Sequence, residues 1–241
     1  MSLLALVRHA QASFLADDYD RLSPAGEAQA KALGDYWARR GEAFSEVFVG
    51  PRRRQQQTAE LAGARCRRSG LSWPDPVVLE ELDEYDLAGL LDRLAPALAR
   101  LDRDFESLLD LHRRSQPEHD RTRAFQRMFE ALLTHWQTAP SPLADQNVEA
   151  WPAFRDRVAR GLSRITENDE RGRRVAAFSS GGFIGAALAR ALDAPDRTAL
   201  ELSWRLRNCA LSHVVFTPGR FSLDDFNTVP HLPDPGHWTY R

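Results

Sequence analysis

"RRVAAFSSGGFIGAALARAL", residues 173–192, decides how the rest of the chain is read. Val175 to Phe178 is an apolar run of strand length, Ser179-Ser180-Gly181-Gly182 turns the chain, and an alanine-rich stretch suited to a helix follows. Strand, small-residue turn and helix in direct succession make part of a βαβ unit. Such units build parallel sheets covered by helices.

The same order recurs toward the N-terminus. "LALVRHAQAS", residues 4–13, continues an apolar strand spanning Leu3 to Val7 that breaks into adjacent Arg8 and His9. "SEVFVGPRRRQQQTAELAGA", residues 45–64, gives a strand at Val47 to Val49, a Gly50-Pro51 turn, and three arginines leading into a helix. Between them, Ser23 is placed to cap a helix with Pro24 in its first turn and Glu27 as an early acid. Ala28, Ala32, Leu33, Tyr36 and Trp37 then recur at helical spacing up to Gly41. A third strand is expected at Val77 to Leu79, before an acidic loop, and a hairpin at Leu211 to Phe216 and Phe221 to Phe226 around a Pro-Gly turn.

The expected fold class is α/β: a three-layer sandwich with a mostly parallel central sheet, one domain over residues 1–241. Strand signals vanish between Ala88 and Asn147. There Leu90, Leu91, Leu94, Leu98 and Leu101, then Phe125, Met128, Phe129, Leu132 and Leu133, keep helical spacing. Residues 88–147 are therefore read as a helical insertion covering one end of the sheet, with "TAPSPLADQN" (138–147) as its exit loop.

At 241 residues, 43% hydrophobic and 27% charged, the chain can bury a sizeable core. Its net charge of -2 argues against a general nucleic-acid or membrane-surface binder. Cys66 and Cys209 are far apart and lack metal-ligand spacing, so neither a disulfide framework nor a metal site is expected. With no cleavable leader or membrane span in view, the expected setting is the cytoplasm.

Three strand-to-loop junctions carry unusual groups: Arg8-His9, Arg52-Arg53-Arg54 and the Ser-Ser-Gly-Gly turn. Open α/β sheets bind ligands outside the carboxyl ends of their strands, where all three fall. Arginines, a histidine and glycine-exposed amides at a helix start make a strong anion site, and phosphate is the anion this set suits.

At this point the sequence resembles the histidine phosphatase superfamily, also called phosphoglycerate mutase-like. The family's Arg-His-Gly is similar to "VRHAQAS", with Ala10 in the glycine's place. Leu22-Ser23, Gly26 and Gln29-Ala30 match its next motif. "GPRRRQQQTA" matches the Ser-Pro-x-x-Arg motif through Pro51, Arg54, Thr58 and Ala59, with Gly50 for the serine. Leu82-Asp83-Glu84 resembles the acid motif, and Asn227-Thr228 through His231-Leu232 the late one.

The resemblance implies that His9 is the nucleophile, forming a phosphohistidine, and that Glu84 protonates the leaving oxygen. It implies that Arg8 and Arg54 hold phosphoryl oxygens; the Ser180 hydroxyl and the Gly181 backbone N–H are this chain's further phosphate-binding candidates. No metal or cofactor is implied. Glu80, Glu81, Asp83 and Asp86 compete with Glu84 on residue type alone. Gln11 and Ser13 suit either the pocket mouth or loop hydrogen bonds. His112, His119, His135, His213, His231 and His237 read as structural, and Arg113, Arg114, Arg121 and Arg123 as a solvated face or as ligands for a second acidic group.

One departure matters: the family expects a second histidine where this chain has Ser180. The expected function is hydrolysis of a phosphomonoester, carried by a small substrate or a phosphoprotein. A phosphomutase using the same intermediate, and a catalytically impaired phosphate-binding module, stand as alternatives. Oligomeric state is left open.

Overall fold

The computed structural model describes the chain apart from residues 14–19, 117, 139–146, 168–169 and 241 and the side chains of 118 and 119. Most of the loop expected at 138–147, and the structural role expected of His119, therefore lie outside the described residues.

In chain order the elements are β1 (Ser2–Arg8), α1 (Pro24–Arg40), β2 (Glu46–Val49), α2 (Arg53–Arg68), β3 (Val77–Val78), α3 (Leu87–Gly89), α4 (Ala95–Ala99), α5 (Arg103–Arg114), α6 (Glu118–Thr138), α7 (Trp151–Thr166), β4 (Arg174–Ser179), α8 (Gly181–Ala191), α9 (Asp196–Arg205), β5 (Leu211–Thr217) and β6 (Arg220–Thr228). The six strands form one sheet in the order β3-β2-β4-β1-β5-β6. Pairs from β3 to β1 are parallel, and β5 and β6 add an antiparallel edge. The α/β sandwich with a mostly parallel sheet is the fold observed.

β1 reads as an unbroken apolar run because both of its faces are covered. Ala5 and Val7 join Leu33, Trp37, Ala59, Ala62 and Phe178 in the core beneath α1 and α2. Leu4 and Leu6, on the opposite face, are equally buried. The N-terminal signals of α1 act as read: Ser23 Oγ accepts from the Gly26 N–H at 3.0 Å, Pro24 opens the helix, and Gly41 closes it in the left-handed region at φ 65°. Gly26 has a second reason to be glycine, since a Cβ there would sit 2.0 Å from the Gln11 carbonyl oxygen. That close approach seats α1 against the loop that follows His9.

Two departures from the sequence reading have simple causes. β3 is only Val77–Val78, both exposed, because it is an edge strand and Pro76 precedes it. Helices α7 and α9 were not anticipated. The chain divides into two compact units, residues 1–84 with 157–241, and residues 85–156. In the second unit, the turns of Leu90–Leu94 are wide, of π type, just before Pro96, which has no N–H to return to the Asp92 carbonyl. Tyr85, Trp136, Trp151 and Phe154 form its aromatic centre. Among the described residues no helix is long and apolar enough to cross a membrane.

His231 is buried beside Tyr36, and neither ring nitrogen has a hydrogen-bond partner among the described residues. Burial pushes its pKa down to about 4 from 6.5. The folded chain keeps this ring neutral while the unfolded chain protonates it below 6.5, so acid favours unfolding. Stability is therefore expected to fall by about 3 kcal/mol between pH 6.5 and 4 on account of this residue. Urea titrations at several pH values should show that His231→Leu removes this part of the dependence; an unchanged slope would refute it.

Candidate functional site

β1, β2 and β4 end on the same edge of the sheet, and their last residues face one another. The His9 N–H donates to Ser179 O at 2.8 Å, and the Gly50 N–H to Phe178 O at 3.0 Å. The three junctions singled out in the sequence are thus neighbours. α2 is tied to the first of them by Thr58, whose Oγ1 accepts from the Ala10 N–H at 3.0 Å and donates to Arg54 O at 2.6 Å.

His9 is buried, and its ring has one protonation pattern that satisfies both nitrogens. Nδ1 donates to the Ala10 carbonyl at 2.8 Å, which leaves Nε2 as the lone-pair nitrogen. Arg54 Nε donates to that Nε2 at 3.2 Å. Burial first, and then the positive charges of Arg54 and Arg8, hold the imidazole well below its usual pKa. A neutral ring with Nε2 facing a guanidinium is the state a nucleophile needs.

The arginines differ in their anchoring. Arg54 sits on the first turn of α2, and its Nη1 meets Asp20 Oδ1 at 2.6 Å. Asp20 Oδ2 also accepts from the Arg53 N–H at 2.8 Å, so one carboxylate holds the start of α2. Arg8 donates through Nη1 to the Leu206 carbonyl. Its guanidinium adjoins the start of α8, since a Cβ on Gly181 would lie 3.8 Å from Arg8 Nε. Arg52 forms a two-pronged pair with Asp83, at 2.6 and 2.9 Å.

Tertiary partners distinguish the five acids that residue type alone left in competition. Glu81 pairs with Arg164, Asp83 with Arg52, and Asp86 with Arg93, while Glu80 is exposed. Glu84 places Oε2 3.0 Å from the Gly182 N–H, on the first turn of α8. Its loop is pinned from below, as Ser179 Oγ donates to Leu82 O at 2.7 Å and Arg157 donates to the Asp83 carbonyl at 2.8 Å.

Ser180 departs most from a phosphate ligand. It is fully buried, and its Oγ accepts from Gln55 Nε2 at 2.8 Å. Gly181 and Gly182 are also buried, at the helix start where N–H groups favour anions. Gln11 and Ser13 serve the loop: Gln11 Oε1 accepts from Ser23 Oγ, and Ser13 Oγ donates to Leu22 O.

Among the described residues, other histidines have partners of their own. His213 bonds Asp225, His135 meets Asp102, and His112 packs on Phe125. Arg113 and Arg114 are exposed and pair with Asp110. Both cysteines are buried free thiols, and burial raises Cys66 to about 11. No group of three metal-ligating side chains occurs among the described residues.

Sequence reasoning missed several supporting residues. Asp20 sits in an acidic run whose pairing no spacing rule announces. Asn208 and Thr239 were also missed. The His9 carbonyl accepts from the Cys209 N–H at 3.2 Å and from Asn208 Nδ2 at 3.4 Å. Thr239 in turn brackets Asn208, donating from Oγ1 at 2.9 Å and accepting its N–H at 2.7 Å. Gln29, a motif residue, donates to Thr239 Oγ1 and to His237 O, both at 3.0 Å.

Solved structures share this fold at low identity. Phosphoglycerate mutase from Bacillus anthracis superposes with a TM-score of 0.63 at 16% identity, covering 96% of this chain and 95% of that one. Alpha-ribazole phosphatase from Shigella flexneri gives 0.61 at 20%, over 94% and 96%. A phosphoserine phosphatase mutant from Entamoeba histolytica, in complex with phosphoserine, gives 0.60 at 16%, over 96% and 100%. No curated protein matches the sequence. The family model of the histidine phosphatase superfamily (branch 1) matches residues 4–120 and 116–229, a span that takes in Arg8, His9, Arg54, Glu84 and Ser180. With motif order, sheet topology and family model in agreement over nearly its whole length, the chain belongs to the histidine phosphatase superfamily.

Proposed function

We propose that the protein is a phosphatase that hydrolyses a phosphomonoester through a phosphohistidine on His9. One observation carries this reading: the Nδ1–H of His9 is held by the Ala10 carbonyl, so an unprotonated Nε2 faces the Arg54 guanidinium. On substrate binding, the Arg54 N–H now directed at Nε2 turns to a phosphoryl oxygen, with Arg8 and the N–H groups at the start of α8 as further donors. Nε2 attacks phosphorus as the bond to the leaving oxygen breaks, and the Glu84 carboxyl gives that oxygen its proton. Water then attacks the phosphohistidine, returning a proton to Glu84 and releasing inorganic phosphate with the Nε2 lone pair restored. A small phosphorylated metabolite or a phosphoprotein fits this chemistry equally. The two buried free thiols suit a reducing, cytoplasmic setting.

A second reading, the impaired phosphate-binding module, is favoured by one feature: residue 180 brings neither charge nor an exposed atom.

Rapid quench with a phosphorus-labelled aryl phosphate distinguishes them. The proposed phosphatase gives an acid-labile, base-stable phosphoryl group on the peptide containing His9. Label on another residue, or tight phosphate binding with no phosphoenzyme, would discard it. The lowered pKa adds a signature: protonation silences Nε2, so kcat/KM should hold from neutral pH past the ordinary histidine value of 6.5 before its acid limb appears.

A further inference from the structure

Gln55 is fully buried, and both ends of its carboxamide are occupied. Oε1 accepts from the Arg52 N–H at 3.1 Å; Nε2 donates to Ser180 Oγ at 2.8 Å and lies 3.5 Å from Leu82 O. Gln55 is the one hydrogen-bond partner of the Ser180 hydroxyl among the described residues. Gly50 completes the fit, because a Cβ there would stand 2.1 Å from Gln55 Oε1 and 2.8 Å from Leu82 O. Three departures from the motifs that the sequence resembles, or residues beside them, are thus mutually shaped. Glycine at the end of β2 admits the carboxamide, and serine at the end of β4 leaves room for it and bonds it.

We propose that Gln55 is a positioning residue whose carboxamide, with Ser180, fills the space of one imidazole and joins the start of α2 to the start of α8. While Gln55 stands, the site excludes a histidine at position 180. An imidazole attached where Ser180 Oγ now lies meets a carboxamide held at both ends, and close-packed interiors do not absorb such an insertion. The join also bears on Glu84, since α8 presents to its carboxylate the Gly182 N–H two residues beyond Ser180. The packing claim stands on contacts alone; its consequence for anion binding rests on the reading of this site as a phosphate pocket.

The test is a double-mutant cycle on the whole chain: wild type, Gln55→Ala, Ser180→His and the two together. Each is measured for Tm, for affinity toward inorganic phosphate by calorimetry, and for hydrolysis of an aryl phosphate. Ser180→His is expected to lower Tm by roughly 5 °C in the wild-type background. In the Gln55→Ala background it should lower it by less than about 2 °C. Phosphate affinity should rise about tenfold from Gln55→Ala to the double variant, as a charged donor replaces a neutral one, and should not rise for Ser180→His alone. Merely structural packing by Gln55 would not produce that regained affinity. Additive Tm changes, or tighter phosphate binding by Ser180→His alone, would overturn the proposal. Tm coupling without phosphate binding or hydrolysis in any of the four would instead sink the phosphatase reading and leave the packing claim standing.

Discussion

Replacing His9 by alanine is expected to lower phosphate release from an aryl phosphate by at least ~10³-fold, with inorganic phosphate still bound within about tenfold of wild type. On the proposed mechanism Arg8, Arg54 and the first turn of α8 all remain to hold the anion, while the atom that would bond phosphorus is gone. Glu84→Gln makes the informative companion. An aryl leaving group departs without much help, so kcat/KM, which ends at phosphoryl transfer to His9, should change little, whereas kcat/KM for an alkyl phosphate should fall by roughly 10²-fold or more for want of a proton. Steady-state assays on both substrates check the pair. His9→Ala retaining a tenth of wild-type turnover would remove His9 from the role of nucleophile. Equal losses of kcat/KM on both substrates in Glu84→Gln would remove Glu84 from that of the acid.

A second large effect lies at the far end of the sheet. Arg173, just before β4, has a buried guanidinium that grips Glu46 at 2.6 and 2.9 Å and donates to the Ile165 carbonyl at 2.8 Å. Glu46 is the more exposed partner, with 33% of its side chain accessible against 2% for Arg173. Glu46→Ala therefore strands a buried cation, and is expected to cost about 3–5 kcal/mol. Tm should drop by roughly 10 °C for a chain of this size. Replacing both residues, as Glu46→Leu with Arg173→Met, should recover most of that loss because no charge is left unpaired. Thermal or urea unfolding of the three proteins measures this. A single variant as stable as wild type would mean that Arg173 finds its solvation without Glu46.

What was legible in the sequence follows from how local each signal is. Arg8, His9 and Arg54 could be brought together on paper because each lies within a few residues of a strand end, and parallel strands carry their ends to one edge. Glu84 was singled out only by motif resemblance; residue type could not separate it from its four acidic neighbours, whose partners, such as Arg164 and Arg52, no spacing reveals. Gln55 was invisible for a related reason: a glutamine near a helix start reads as solvated until Gly50 and Ser180 are seen to enclose it. Of the two unanticipated helices, α7 did carry a signal, as Trp151, Phe154, Val158, Leu162 and Ile165 keep helical spacing. The ten residues of α9 are mostly polar or charged, and its place is settled by packing on α8.

The bracket around the His9 carbonyl makes the order of synthesis matter. His9 leaves the ribosome long before the amide that steadies its carbonyl, which is 199 residues later, and the threonine that steadies Asn208 comes 31 later still. β1 likewise waits for both of its sheet neighbours, β4 and β5, which follow it only after α1, α2 and the helices up to α7. A nascent chain can assemble α1 and α2 while β1 is still unpaired, but the backbone of His9 lacks its bracket until Asn208 and Thr239 arrive. Such distant pairing makes folding slow relative to a helical bundle of equal length. It also means that a chain broken off before Asn208 carries every residue of the N-terminal motif and no formed site.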